Sequence, residues 1–298
     1  MSSFRGTKFN SIPTSHQYTA PKSTSSSNSI IDSFENFSNK VEDLLDTPFI
    51  TQLKPYVPQI GRFLIVSTFF EDSLRILSQW GDQVYYLWNY RHIPYFLVVF
   101  LLLLIVSIML ISSTLVVLKK FQLYAGISLI LVIIIQGFMY GLFNGTPFIF
   151  RNLSLIGGLL IAFSDTLAQE KKSFAGLPDI SSNNQYKNYA LLAGRILLVV
   201  LFFSFAITKS WLTTFVVSIG IFAISFGYKT KFASAILITI LIFYNFTSNA
   251  YWSPSLNNGR RDFLKYEFYQ TLSIVGGLLL VANTGAGELS LDEKKKIY

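Results

Sequence analysis

Gly61-Arg62-Phe63-Leu64-Ile65-Val66, running on to Phe69-Phe70, recurs as Gly194-Arg195-Ile196-Leu197-Leu198-Val199, running on to Phe202-Phe203. The echo extends outward from there. Lys120-Phe121 opens one apolar run and Lys231-Phe232 opens another, and Leu155-Ile156-Gly157-Gly158-Leu159-Leu160 returns as Ile274-Val275-Gly276-Gly277-Leu278-Leu279. Apolar helices resemble one another by chance, so each match alone is weak. Their common order pairs the first, third and fourth apolar runs with the fifth, seventh and eighth, and reads as a four-helix unit used twice. Four spans return a chain to its starting side, so the two copies are parallel, related by an axis near the membrane normal. Gly-Gly pairs let helix backbones approach closely, which assigns Gly157, Gly158, Gly276 and Gly277 to crowded helix contacts.

Composition supports a membrane solvent for these runs. Of the 298 residues 51% are hydrophobic and only 13% charged, against roughly 25% charged in soluble domains. Mean hydropathy is +0.46. Eight apolar segments, at about 60–80, 93–118, 121–143, 149–168, 188–208, 211–228, 231–250 and 266–284, approach the length that crosses a bilayer core of about 30 Å. The first is the least hydrophobic and would escape a strict window. The fold expected is therefore all-α, a polytopic membrane protein with about eight transmembrane helices in two parallel four-helix repeats.

The segments divide the chain. Residues 1–28, rich in Ser, Thr, Asn and Pro, read as a disordered cytosolic tail. Residues 29–58 read as an amphipathic cytosolic helix and linker, with Ile30, Phe34, Phe37, Val41 and Leu44 on one face and Pro48 ending it. That helix is acidic, whereas helices that cling to anionic lipid are basic, so it suits packing on protein. The repeats follow at 59–170 and 188–284, separated by a cytosolic loop at 171–187, and 285–298 forms a cytosolic tail. No apolar core lies near the amino terminus, so the first span is expected to serve as the insertion signal in place of a cleaved peptide.

Charge sets the orientation. With a cytosolic amino terminus, 17 of the 24 Lys and Arg residues lie in cytosolic tails, loops and helix ends, the asymmetry that the positive-inside rule requires. An even number of spans puts the carboxyl terminus on the same side. There the chain ends Glu293-Lys294-Lys295-Lys296-Ile297-Tyr298. Lys295 and Lys296, fourth and third from the end, match a dilysine retrieval signal, a receptor-read address that works only in the cytosol. A basic flank after a membrane helix is the plainer reading of the same residues.

The chemistry concentrates in the first span. Glu71 and Asp72 lie between its middle and its lumenal end, where the second copy has Ser204-Phe205. Carboxylates at that depth cost a few kcal/mol and belong on a bundle interior or a wet cavity. Arg75, at i+4 and i+3, can pair with one of them; the surplus negative charge suits a cationic group such as a peptide α-amine. In the alternative, Arg75 bridges both acids, or Arg91 or Lys265 neutralises the second. Between the last two spans, Tyr251, Trp252, Asp262 and Glu267 offer an aromatic groove with acidic groups, although Tyr and Trp there also fit an interfacial belt. Asn144-Gly145-Thr146 and Asn152-Leu153-Ser154 match the glycosylation pattern but sit against the membrane, where modification is not expected.

Other classes recede. No residue is cysteine, and His16 and His92 are the two histidines, so thiol chemistry, a histidine metal site and any cofactor are not expected. Phosphate loops, HExxH and nucleophile elbows are absent from the sequence; an enzyme is not expected. The net charge of +8 sits in short loops, as topology determinants do, so no nucleic-acid partner is implied.

Val66-Ser67-Thr68-Phe69-Phe70-Glu71-Asp72-Ser73-Leu74-Arg75 with Gln79-Trp80, Arg151-Asn152-Leu153, and Phe174-Ala175-Gly176-Leu177-Pro178 resemble the surfeit-locus-four family of cargo receptors. The most specific stretch runs from Asp262-Phe263-Leu264-Lys265-Tyr266 through Gly276-Gly277 to Asp292-Glu293-Lys294-Lys295-Lys296. The resemblance covers the chain from about residue 55 to its end; the longer polar amino terminus and the final Ile-Tyr depart from the family pattern. It implies a receptor in the endoplasmic-reticulum membrane that cycles through ER-derived vesicles and the early Golgi. Such a receptor packages soluble secretory proteins into COPII vesicles and returns with COPI. The cargo would display a short apolar motif near its amino terminus, which fits an acidic pocket that captures an amine. Partners would be cargo, both coats and membrane lipid, with homo-oligomerisation open. A membrane transporter or lipid scramblase of the early secretory pathway is the competing reading, since parallel repeats and buried charge also occur there. A membrane oxidoreductase is a third reading, because small four-helix membrane proteins of the DoxX type share this kind of Gly-Arg opening, but the lack of cysteine and of paired histidines for haem argues against it.

Overall fold

A computed structural model describes residues 54–142, 145–169, 182–208, 211–253, 259–285, 287 and 289–291, with Ser33, Lys40 and Gln52. The amino-terminal tail, almost all of the acidic amphipathic segment, the 171–181 stretch and the terminal lysines lie outside the described residues. The described residues form helices and connecting turns with no strand among them: α1 (Val57–Ser78), α2 (Trp80–Tyr85), a π-helical turn (Tyr86–Tyr90), α3 (Tyr95–Val117), α4 (Gln122–Tyr140), α5 (Thr146–Gln169), α6 (Ser182–Thr208), α7 (Trp211–Phe226), α8 (Thr230–Ser248) and α9 (Gly259–Thr284). Each of the eight apolar segments coincides with one long helix.

Three helices, α3, α4 and α8, are long and apolar enough to cross a membrane by length and composition. Helices α1 and α9 are more polar; among their charged groups, Glu71, Asp72 and Arg75 of α1 and Lys265 and Glu267 of α9 form ion pairs within the bundle. Neighbours in sequence pack as neighbours in space from α3 through α9, and α1 closes the ring by packing on both α3 and α9. Across the centre, α5 lies against α9.

Glycine sets the tightest crossings. A methyl group on Gly157 of α5 would fall 2.6 Å from both the Gly194 carbonyl oxygen and the Leu198 nitrogen of α6. On Gly276 of α9 it would fall 2.6 Å from the Gly61 oxygen and 2.8 Å from the Ile65 nitrogen of α1. Only a residue without a side chain allows backbones this close. Gly158 and Gly277 face each other where α5 meets α9.

These contacts fix helix directions. Along α1 and α9, Gly61 opposes Gly276, Glu71 opposes Lys265 and Gln79 opposes Asp262, so the two run antiparallel. Between α5 and α9, Gly158 meets Gly277 and Arg151 meets Glu267 at 2.5 Å; these run parallel.

Two arginines hold backbone carbonyls of other elements. Arg91 donates from Nε to the Met139 carbonyl at 2.8 Å and from Nη2 to the Phe138 carbonyl at 2.9 Å. It thereby satisfies acceptors at the α4 terminus that no intrahelical donor reaches, and it stacks on Gly141, whose φ of +68° stops the helix. Arg91 is thus committed to a helix end and does not neutralise Glu71. Arg195, 1% exposed, donates from Nη2 to the Leu289 carbonyl at 3.0 Å. The chain just after α9 is thereby tied to α6.

Candidate functional site

Glu71 and Asp72 are consecutive on a helix, so their side chains leave the axis about 100° apart. Three partner helices exploit that divergence. Asp72 turns toward α4 and α5 and accepts a 2.6 Å hydrogen bond from Arg75 Nη2. Glu71 turns toward α9, with Lys265 Nζ 3.6 Å from Oε1 and Arg75 Nε 3.8 Å from Oε2. Arg75 therefore lies between the acids, its guanidinium carbon 5.7 Å from the centre of the Tyr266 ring, a cation–π geometry. The second acid has its cation in Lys265.

Two cavities open on either side of this charge group. The first, of about 320 Å³, lies among α1, α4, α5 and α9. Its apolar wall includes Phe69, Ile76, Ile133, Phe148 and Phe263; its polar groups include Asp72, Arg75, Gln79, Gln136, Tyr140, Asp262 and Tyr266. Arg75 offsets one of its two carboxylates, so one negative charge remains. That charge sits on exposed Asp262, which accepts a 2.7 Å hydrogen bond from Gln79 Nε2. An apolar cavity with a few convergent polar groups is the form small ligands and chain ends require. The second cavity, of about 500 Å³, is a groove between α1 and α9 that contains Glu71 and Lys265.

The expected site residues therefore separate. Asp72, Arg75 and Asp262 meet in the first cavity, and Glu71 faces the second. Glu267 lines neither; it pairs with Arg151 and joins α9 to α5. Tyr251 and Trp252 pack with Phe246, Phe268 and each other in an aromatic cluster where α8 turns toward α9, with centroids 5.3–5.9 Å apart. Asn152 lies inside α5 and donates to the Phe148 carbonyl at 2.9 Å, a helical setting closed to glycan transfer. Gln136 and Tyr140 of α4 were not read from the sequence as cavity groups. Gln136 carried one available signal, a polar amide within an otherwise apolar run. Among the described residues no group of three or more His, Asp or Glu side chains is placed to hold a metal ion.

The SURF4 family model matches residues 35–298, which includes every helix of both cavities. The ER-derived vesicles protein ERV29 of Saccharomyces cerevisiae is 55% identical over 267 residues, 89% of this chain and 86% of that protein. The surfeit locus protein 4 homologue of Schizosaccharomyces pombe is 45% identical over 84% of this chain and 85% of its own length. That of Drosophila melanogaster is 33% identical over 86% and 96%. No solved structure matches the chain. With a family match across nearly the whole described bundle and relatives aligned almost end to end, this chain belongs to the SURF4 family.

Proposed function

We propose that this protein is a cargo receptor of the endoplasmic-reticulum membrane that binds soluble secretory proteins in the lumen and loads them into ER-derived vesicles. Membership of the SURF4 family and the likeness to a protein named for ER-derived vesicles support the compartment. The observation that carries the binding role is the first cavity: an apolar chamber of about 320 Å³ that retains one negative charge after Arg75 is counted. That combination fits the amino terminus of a polypeptide. The α-ammonium sits between Asp262 and Asp72, and the next apolar side chains fill the space beside Phe69, Ile133 and Phe148.

Purified full-length protein tests this with a short peptide that starts on apolar residues, free or acetylated at its amino terminus. A hydrogen bond to a charged group contributes about 1.5–3 kcal/mol, so acetylation is expected to weaken binding about tenfold or more. Asp262→Asn should remove most of that difference. Equal binding of both peptides would sink the assignment of the cavity.

In this proposal the eight long helices all cross the membrane, in two parallel four-helix units. The paired crossings support the repeat: Gly157 on Gly194 and Leu198 has the same chemistry as Gly276 on Gly61 and Ile65. Cytosolic Lys295 and Lys296 would then return the receptor through COPI, with COPII carrying it forward. Lys295→Ser with Lys296→Ser is expected to move the protein from a reticular to a Golgi pattern by microscopy; an unchanged pattern counts against the signal.

A further inference from the structure

The groove between α1 and α9 holds a feature that the cargo cavity does not explain. Glu71 is 2% exposed at its side chain, and among the described residues no donor lies within hydrogen-bond distance of either carboxylate oxygen. Lys265 and Arg75 approach but stop at 3.6 and 3.8 Å. A buried carboxylate without hydrogen bonds costs several kcal/mol; Lys265 Nζ and Arg75 Nε, the latter also without a hydrogen-bond partner, each stand just beyond reach of one oxygen. Apart from Ser67, Glu71, Lys265 and Tyr269 the lining is apolar: Phe63, Leu64, Phe70, Leu74 and Leu272. An occupant with N–H donors of its own would complete the hydrogen bonding of Glu71.

The occupant's remaining chemistry follows from the same residues. Phe63, Leu64, Phe70 and Leu74 recur along one face of α1 over eleven residue steps, about 16 Å at 1.5 Å per step, which is a track for a hydrocarbon chain. Phe63 and Leu74 are exposed, so the groove opens on the outside of the bundle. At one end stand an anion and a cation side by side, Glu71 and a Lys265 whose side chain is 36% exposed. A ligand complementary to that pair carries its own cation with N–H donors, an adjacent anion and an aliphatic tail. We propose that this groove is a headgroup-selective site for a phospholipid with a primary ammonium, its ammonium on Glu71 and its phosphate on Lys265. Phosphatidylethanolamine fits without surplus charge. Phosphatidylserine adds a carboxylate beside Glu71, phosphatidylglycerol brings no amine, and the trimethylated nitrogen of phosphatidylcholine has no hydrogen to donate. The proposal does not depend on cargo binding, which lies on the opposite side of Asp72 and Arg75.

Native mass spectrometry of the purified full-length protein, with equimolar phosphatidylethanolamine and its mono-, di- and trimethylated derivatives, tests it. Retention is expected to fall stepwise with methylation, by at least about fivefold between the first and last members. Glu71→Gln should flatten that series, and Lys265→Met should lower retention of all four. Because the methylation series is read on the unaltered protein, the proposal stays falsifiable if either variant fails to fold. Equal retention of the four lipids overturns it. So does displacement of the retained lipid by a peptide with a free amino terminus but not by its acetylated form, which would make the groove a peptide site.

Discussion

Gly276→Ala is expected to cause one of the two largest losses of stability among single methyl additions at the described glycines. The new carbon would lie 2.6 Å from the Gly61 carbonyl oxygen, 2.7 Å from Leu64 Cβ and 2.8 Å from the Ile65 nitrogen. All three belong to α1 and two are backbone atoms, so no side chain can swing aside, and α1 and α9 must separate. Overpacking of a close-packed interior costs typically 1–3 kcal/mol, and a rigid backbone contact belongs at or above the upper end. At roughly 2–4 °C per kcal/mol, the melting temperature of the detergent-purified protein should fall by about 6–12 °C. Since α9 also carries Asp262, Lys265 and Tyr266, both cavities lose a wall at once.

The comparison set makes that result specific. Gly157→Ala should match it, because its methyl meets backbone atoms of α6 at 2.6 Å. Gly277→Ala presses mainly on the tip of the Leu198 side chain, with the nearest backbone atom at 3.2 Å, so a rotamer change softens the effect. Gly81→Ala, on exposed α2 with nothing within 4 Å of the new carbon, should be neutral or stabilising by up to about 1 kcal/mol. Melting curves by intrinsic fluorescence would show this order. Equal losses at Gly81 and Gly276 would mean that helix propensity, not close approach, governs these sites.

These glycines also mark how far the sequence could be read. A Gly-Gly pair in an apolar run announces a close crossing, and the runs themselves announce helices, because both signals are local. The partner of each crossing is not local. Gly276 meets Gly61 across more than two hundred residues, and nothing in either run names the other. The same limit governs the site. Glu71, Asp72 and Arg75 were legible as a charge group because helical spacing brings them together. Which acid faces which chamber depends on where α4, α5 and α9 stand around α1, and that is set by the packing of apolar surfaces that look alike in sequence. Lys265 was one of two basic residues in reach of the second acid on paper; the geometry of the α4 terminus claims Arg91 and leaves Lys265. Tyr251 and Trp252 line neither cavity and pack with Phe246 and Phe268 where α8 turns toward α9, a placement that composition does not specify.

The second large effect is expected at Arg75, and it separates structure from function within the charge group. Arg75→Met leaves Asp72, whose side chain is 13% exposed, without its 2.6 Å partner and removes one of the two cations near Glu71. Breaking a buried ion pair by deleting one member costs about 3–5 kcal/mol; Arg75 is 26% exposed, which places the loss toward the lower figure. The double variant Arg75→Met with Asp72→Leu removes the stranded charge as well. Apolar replacement of a whole buried pair is often neutral, so the double variant should recover most of the melting temperature that the single variant loses. If the pair serves only to hold α1 in place, the double variant should bind an amino-terminal peptide as the parent does. If it shapes the cavity for an ammonium group, stability returns while binding does not, because the chamber then offers Asp262 alone and a more apolar floor. The cargo reading predicts the second outcome. A stable double variant with unchanged peptide affinity would confine the recognition charge to Asp262 and leave Asp72 and Arg75 as a structural pair.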